Sequence, residues 1–378
     1  PHVSAPPQRP APPPRPAPVQ GELFGPPPDE CNDASQLPPS ARETARAVAT
    51  ASAAQYTLVD SPEKFRAFLG ELRRQKVFAF DTETTHLNPA WAKLAGLSFS
   101  WEAQKGYYLP ICGLGDCLEL EPTLAALRPI FADPNVRKVG QNLKYDLVVL
   151  ACHGVPVAGV EFDTMIASFV LDSSRRSHGM DFLAREILGR ETIPITDLIG
   201  TGRDQLTFDS VETAKACEYS GEDADVTWQL YDVFRRQLES TDLEPLFRET
   251  EMPLVEVLAA MECEGVRLDT DVLARMSRQL EARLRKLTRE IHQAAGHPFN
   301  IDSTKQLAAV LFDELKLPVR KMTRTGRSTD AETLEQLAFE TDHPVPRLIR
   351  EYRELSKLKG TYIDTLPTMI CPRTGRIH

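Results

Sequence analysis

The sequence lacks any run of about 18 apolar residues and opens on no signal-peptide pattern. It therefore points to a chain with no membrane partner. Cysteine is sparse. There are seven, an odd number, scattered at Cys31, Cys112, Cys117, Cys152, Cys217, Cys263 and Cys371. Cys112 and Cys117 have no second pair and no nearby histidine, which argues against zinc and for a reduced, cytoplasmic protein. A phosphate-cradling glycine loop is also missing, because Gly200 and Gly202 are not followed by Lys-Ser/Thr. Positive charge is not in excess either: the formal net charge is −10. Residues 1–250 carry 24 Lys+Arg against 35 Asp+Glu, and residues 251–378 carry 20 against 19. A nucleic-acid partner must therefore be argued from sites and not from overall charge.

Proline, by contrast, is concentrated. Residues 1–40 hold 14 of the 30 prolines, a composition that cannot bury a core. Residues 1–54 are expected to form a disordered linker. Both ends of the chain look cut, so a piece of a larger protein is expected.

From residue 55 the pattern turns globular. Ser61 is placed to cap a helix that runs to Leu72. Leu94–Ser100 and Gly106–Ile111 read as strands, Pro122–Phe131 as a helix and Arg137–Gly140 as a strand. Helices are expected at Leu143–His153, Phe162–Leu171 and Met180–Leu188, and a long one at Val211–Leu238. Strands surrounded by helices imply an α/β domain with a mixed sheet over residues 55–242. Beyond it, Met252–Glu264 reads as a helix and Gly265–Leu268 as a turn and short strand. Leu273, Met276, Leu280, Leu284, Leu287 and Ile291 form one stripe on a helix of about 25 residues. Pro346–Leu366 supplies a second stripe, and the two predict an antiparallel helical arm.

The chemistry is organised around Val77-Phe78-Ala79-Phe80-Asp81-Thr82-Glu83-Thr84, a buried strand that ends in Asp-x-Glu. The period of two places both carboxylates on one face. Carboxylates crowded in this way repel unless a cation lies between them, and hard oxygen ligands suit Mg²⁺ or Mn²⁺. Gln141-Asn142-Leu143-Lys144-Tyr145-Asp146 opens a helix after a strand. Tyr219 and Asp223 lie four apart, on one helical face. Together, Asp81, Glu83, Asp146, Asp223 and Tyr219 are the parts required for two-metal hydrolysis of a phosphodiester.

In this order the three segments resemble the exonuclease motifs of the bacterial family A DNA polymerases, the proofreading 3′→5′ exonuclease of DEDDy type on a ribonuclease-H-like fold. The resemblance covers about residues 57–378. It includes Phe162-Asp163-Thr164-Met165, His178-Gly179-Met180-Asp181, Gln205-Leu206-Thr207-Phe208, Glu251-Met252-Pro253-Leu254 and Glu351-Tyr352-Arg353-Glu354-Leu355. It implies that Asp81 bridges two divalent ions, that Glu83 and Asp223 complete the site that activates water, that Asp146 serves the second ion and that Tyr219 positions the nucleophile. Leu87 is implied to wedge beside the terminal base, while Thr84, Gln141, Asn142 and Tyr145 hold a single-stranded DNA 3′ end. Two positions depart from the family. An arginine there corresponds to Ser177 here, with Arg176 as the expected substitute, and an aromatic there corresponds to Ile195.

The helical arm, residues 243–378, resembles the start of the polymerase thumb. Ser303, Thr304 and Lys305 would meet duplex DNA, as would Lys321, Arg324 and Arg327 within the basic stretch Lys316–Arg327. Palm and fingers are not in this sequence, so the piece itself is not expected to extend DNA. The expected protein is a monomer in the bacterial cytoplasm, associated with the nucleoid. Two alternatives stand beside this reading: an RNA-directed exonuclease of ribonuclease D type, and a catalytically silent DNA-binding support.

Overall fold

A computed structural model describes residues 54–324 and 326–378, so the expected linker lies outside the described residues apart from Ala54. Contacts divide the described chain into one unit up to Val266 and another from Arg267 to Ile377.

The first unit is built on a six-stranded sheet. The strands are β1 (Gln55–Leu58), β2 (Val77–Thr84), β3 (Leu94–Glu102), β4 (Lys105–Pro110), β5 (Arg137–Gly140) and β6 (Val160–Asp163), in the spatial order β1-β4-β3-β2-β5-β6. β2 pairs antiparallel with β3 and parallel with β5. That central position explains its uninterrupted Phe78-Ala79-Phe80 run, since a strand covered on both faces has no solvent side to make polar. The phenyl rings of Phe78, Phe80, Phe99 and Phe131 pack edge-on or tilted, and Phe80 and Phe131 are 5.0 Å apart. Such pairs add to the burial of about 25 cal/mol per Å² that drives the core.

Helices α1 (Pro62–Leu72), α2 (Leu120–Phe131), α3 (Leu143–Cys152), α4 (Thr164–Leu171), α5 (Met180–Leu183), α6 (Ile195–Ile199) and α7 (Thr213–Glu239) accompany the sheet. Ser61 caps α1 as expected, accepting a hydrogen bond from Lys64 N. The 27-residue α7 packs on β1 to β5. Its Gly221 allows this close approach: a Cβ there would lie 2.9 Å from Tyr56 Cβ, and one on the facing Gly106 would lie 2.4 Å from Gly221 O. The interior glycine costs helix propensity but brings the motif on α7 down onto the sheet.

Two strands of this sheet escaped the sequence reading. β1 is a four-residue edge strand with a weak alternation. The second, β6, holds Phe162, which had been expected at a helix start. Phe162 instead pairs with Val139, and the helix begins only at Thr164 because the Asp163 carboxylate accepts hydrogen bonds from Met165 N and Ile166 N. The short strand expected at Gly265–Leu268 is reduced to an isolated bridge at Val266. The contact boundary also falls later than residue 242. Phe247, Met252, Val255 and Ala259 are buried in the first core, and α8 (Met252–Glu264) packs on α3.

In the second unit, α9 (Thr270–Ala295) is capped by Asp269 at its start and by Gly296 (φ 86°) at its end. It lies against α12 (Val345–Lys357), the last helix after α10 (Thr304–Ala308) and α11 (Ala331–Glu340). Ser277 bonds Asp364, Glu281 bonds Lys359 and Arg283 bonds Glu351, so rising numbers on one helix meet falling numbers on the other. The expected antiparallel arm is present. Its second helix is α-helical only to Lys357 and continues as a wider turn over Leu358–Ile363.

Candidate active site

β2 delivers Asp81 and Glu83 to the end of the sheet, and α7 brings Asp223 over them. One oxygen from each of these three carboxylates can be drawn from a set lying within 4.8 Å of one another. The grouping follows from period two on the strand and from the glycine-mediated approach of the helix, which closes a sequence gap of 140 residues. Glu83 and Asp223 are buried and Asp81 is partly open to solvent.

Burial pushes Asp81 up to about 7. It pushes Glu83 up to about 8, with the Asp81 charge adding to the shift. Asp223 is raised well above the carboxylate range, first by burial and then by Glu83 and Asp81. Mutual repulsion of this kind is what a divalent ion relieves, and an all-oxygen donor set fits Mg²⁺ or Mn²⁺ better than a soft metal. The residues present therefore fit a metal centre.

Asp146 does not join that triad within the same radius. Its Oδ1 accepts from Thr82 N at 3.0 Å and from Thr82 Oγ1 at 2.5 Å, which ties its carboxylate to β2. It is buried, and its carboxyl is raised well above the ordinary range by burial and by Asp81. Tyr219 lies one helical turn before Asp223 on α7, close enough for the two groups to perturb one another. Burial and the surrounding negative charge push its phenol far above the ordinary range, so it stays protonated and can act as a donor.

The residues expected to hold a DNA end divide into two groups. Leu87 is 73 % exposed on the loop after β2, as an apolar wedge would need to be. Tyr145 donates to His86 O at 2.6 Å and pairs with Thr84, so it ties this loop to the helix of Asp146. Gln141 is engaged inside the protein, whereas Asn142 is exposed and is held through its backbone N by Asp163. The Gln141 amide donates to His178 O at 2.9 Å and accepts from Thr164 Oγ1. Asn142 takes the left-handed conformation (φ 59°) at the start of α3, a geometry that asparagine tolerates better than most residues. Arg176 is exposed, whereas Arg175 is bonded to Glu186.

In the second unit Ser303 caps α10, and Thr304 and Lys305 are exposed beside it. The basic stretch forms a hairpin of Met322–Thr323 with Gly326–Arg327. Arg320 pairs with Glu340, Lys321 with Asp330 and Glu332, and Arg327 with Asp313, while Arg324 is exposed. Exposed pairs of this kind contribute little to stability.

Four supporting residues had no signal in spacing alone. Ser220 donates to Glu83 Oε1 at 2.7 Å, and Thr82 grips Asp146. Asp163 accepts from Asn142 N and Leu143 N as well as from its own helix, and so caps α3 and α4 together. Arg190 bonds Asp225 Oδ2 at 2.8 Å, Glu222 Oε1 at 2.8 Å and the Tyr56 hydroxyl. Glu222 also accepts from Ile193 N at 2.6 Å, and Asp225 from Gln104 N at 2.6 Å. Asp223 therefore sits between two carboxylates that are already satisfied by a guanidinium and backbone amides.

Comparison with known proteins agrees with this geometry. Residues 56–239 match the model of the family described as 3′-5′ exonuclease, and residues 270–378 match DNA polymerase family A. DNA polymerase I of Pseudomonas aeruginosa is 42 % identical over 85 % of this chain, covering 36 % of that protein. The Chloroflexus aurantiacus DNA polymerase I is 38 % identical over 91 % of the chain and 37 % of its own length. Among solved structures, the polymerase domain of Pol1 from M. smegmatis, in complex with DNA primer-template and dNTP, superposes with a TM-score of 0.69. It is 28 % identical and is matched over 85 % of this chain and 52 % of its own. The chain spans about a third of the length of the curated relatives it matches. Motif order, sheet topology and sequence identity agree, and the chain belongs to the DNA polymerase I family, with that family's 3′-5′ exonuclease region at residues 56–239.

Proposed function

We propose that the chain removes nucleotides one at a time from DNA 3′ ends, as the proofreading activity of a DNA polymerase I. The observation that carries this reading is the convergence of Asp81, Glu83 and Asp223 within 4.8 Å, with Tyr219 one helical turn from Asp223. Asp81, Glu83, Asp146 and Asp223 would hold two divalent ions. When bound, these ions would lower the pKa of the attacking water and stabilise the leaving oxygen. Hydrolysis joins the water oxygen to phosphorus and breaks the P–O3′ bond, which releases a nucleoside 5′-monophosphate and a shortened 3′-hydroxyl. Tyr219, held protonated, would orient that water by donating a hydrogen bond. Asp146, held by Thr82, would serve the second ion.

In this reading residues 55–242 are the exonuclease domain and residues 243–378 begin the thumb. Leu87, Thr84 and Tyr145 would border the 3′ end, with Gln141, Asn142 and Arg176 shaping the cleft. Ser303, Thr304, Lys305, Lys321, Arg324 and Arg327 would face duplex phosphates. The complete protein would carry out DNA-templated synthesis in the cytoplasm, as a monomer associated with nucleoid DNA.

The test is digestion of a 5′-labelled single-stranded DNA with Mg²⁺ or Mn²⁺. A ladder shortening from the 3′ end, lost with chelator and in Asp146→Ala, is the expected result. Equal or faster digestion of the matching RNA would favour a ribonuclease D type instead. A folded, metal-binding chain that leaves DNA intact would refute the exonuclease reading.

A further inference from the structure

The loop between β2 and β3 is ordered well beyond the needs of a connection. It is closed by Thr85 N donating to Lys93 O and Lys93 N to Thr85 Oγ1, both at 3.1 Å. Inside it, Asn88 accepts from Ala90 N through its side chain and from Trp91 N through its carbonyl. Ala90 and Ala92 are buried at 2 % and 7 %, and alternation turns Trp91 between them outward, leaving 37 % of it exposed. Trp91 is backed by His86, with ring centroids 5.9 Å apart and planes 18° from parallel. The exposed Leu87 adjoins His86. Tyr145, next to Asp146, donates to His86 O, so the aromatic pair is fastened to the helix that carries a site carboxylate.

An indole that stays 37 % exposed on a hydrogen-bonded loop keeps apolar surface that a further contact would bury. An open aromatic face on a loop that Tyr145 ties to the helix of Asp146 suits the π-face of an unpaired base, which any of the four bases provides. We propose that Trp91, backed by His86, forms a stacking subsite for an unpaired nucleobase of the single-stranded DNA. This inference rests on the exonuclease reading and adds a binding contact to it. The bland alternative is an indole that only shields the hydrogen bonds of its own loop.

Stacking of one base on an aromatic side chain is worth about 1–3 kcal/mol, or about 5- to 150-fold in affinity. Trp91→Ala should raise KM for single-stranded DNA within that range, with the loss falling on KM and not on kcat, while Trp91→Phe keeps most of the affinity. The second readout needs no catalysis. In a Trp101→Phe/Trp228→Phe background, Trp91 is the only remaining tryptophan. Titrating oligo-dT in chelator should then quench its emission with a saturable midpoint. Quenching together with the KM rise supports the subsite. A KM unchanged within about twofold in Trp91→Ala, with no quenching, overturns it. Equal KM losses in the Ala and Phe variants without quenching would assign Trp91 to loop structure and also overturn it. If the parent chain cleaves no DNA, the exonuclease reading fails, and the chelator titration still decides the stacking proposal.

Discussion

Arg190 gives the most quantitative test of how the site is held. Its guanidinium bonds two carboxylates on α7, Glu222 and Asp225, whose side chains are 8 % and 0 % exposed, while its own is 24 % exposed. Replacing Arg190 by Met keeps an unbranched apolar stem but leaves both carboxylates without a cation. Breaking a buried pair from one side costs about 3–5 kcal/mol, because the orphaned charge has lost both water and partner. The partial exposure of Arg190 places the expectation near the lower end, about 3 kcal/mol. Urea denaturation followed by tryptophan fluorescence suits the measurement, since Trp91, Trp101 and Trp228 all lie in the first unit. The midpoint should fall with little change in slope. Adding Glu222→Gln and Asp225→Asn to Arg190→Met should recover more than half of the loss, because neutral amides can still accept from Ile193 N and Gln104 N. A loss below about 1 kcal/mol, or no recovery in the triple variant, would refute the claim that the guanidinium neutralises these carboxylates.

The metal-free carboxylates predict an unusual pH profile. Asp81 and Glu83 are raised from 3.8 and 4.5 to about 7 and about 8, so the folded state retains protons that the unfolded state has released. By linkage, their contribution to stability is present below about pH 4 and is lost as pH climbs through about 7 to 8. Thermal melts in chelator should show a falling Tm across that window, and Mg²⁺ should raise Tm more at pH 8 than at pH 5.5. A flat metal-free profile would contradict the crowding argument. Gly221→Ala should lower stability by about 1–3 kcal/mol through overpacking against Tyr56, and Gly106→Ala by at least as much, since it meets backbone. Melts of the two variants decide this, and a neutral Gly221→Ala would mean that α7 can lift off the sheet at little cost. Tyr219→Phe should keep the melting temperature within about 2 °C and lower exonuclease kcat by about tenfold or more. An unchanged kcat would remove Tyr219 from the chemistry.

Much of the site was legible in the sequence because its parts obey short-range rules. The apolar run Val77–Phe80 before Asp81-Thr82-Glu83 is a buried strand in any context. Period two then puts the carboxylates on one face, just as spacing by four pairs Tyr219 with Asp223. The stripe from Leu273 to Ile291 declares its helix in the same local way, and the order of the motifs carried the family. Tertiary structure decided what depends on partners far away in sequence. Phe162 is apolar enough for either a strand or a helix, and only its pairing with Val139 and the Asp163 cap assign it to a strand. Asp146 and Asp223 are both acidic residues on helices. One is bound back by Thr82 and the other joins Asp81 and Glu83, a difference set by which backbone each helix docks against. Arg190 and Ser220 have no periodicity that would mark them, since their roles exist only where α7 meets the sheet and the loop before α6. Local pattern determines which face of an element is polar; long-range packing determines which polar groups on that face find one another.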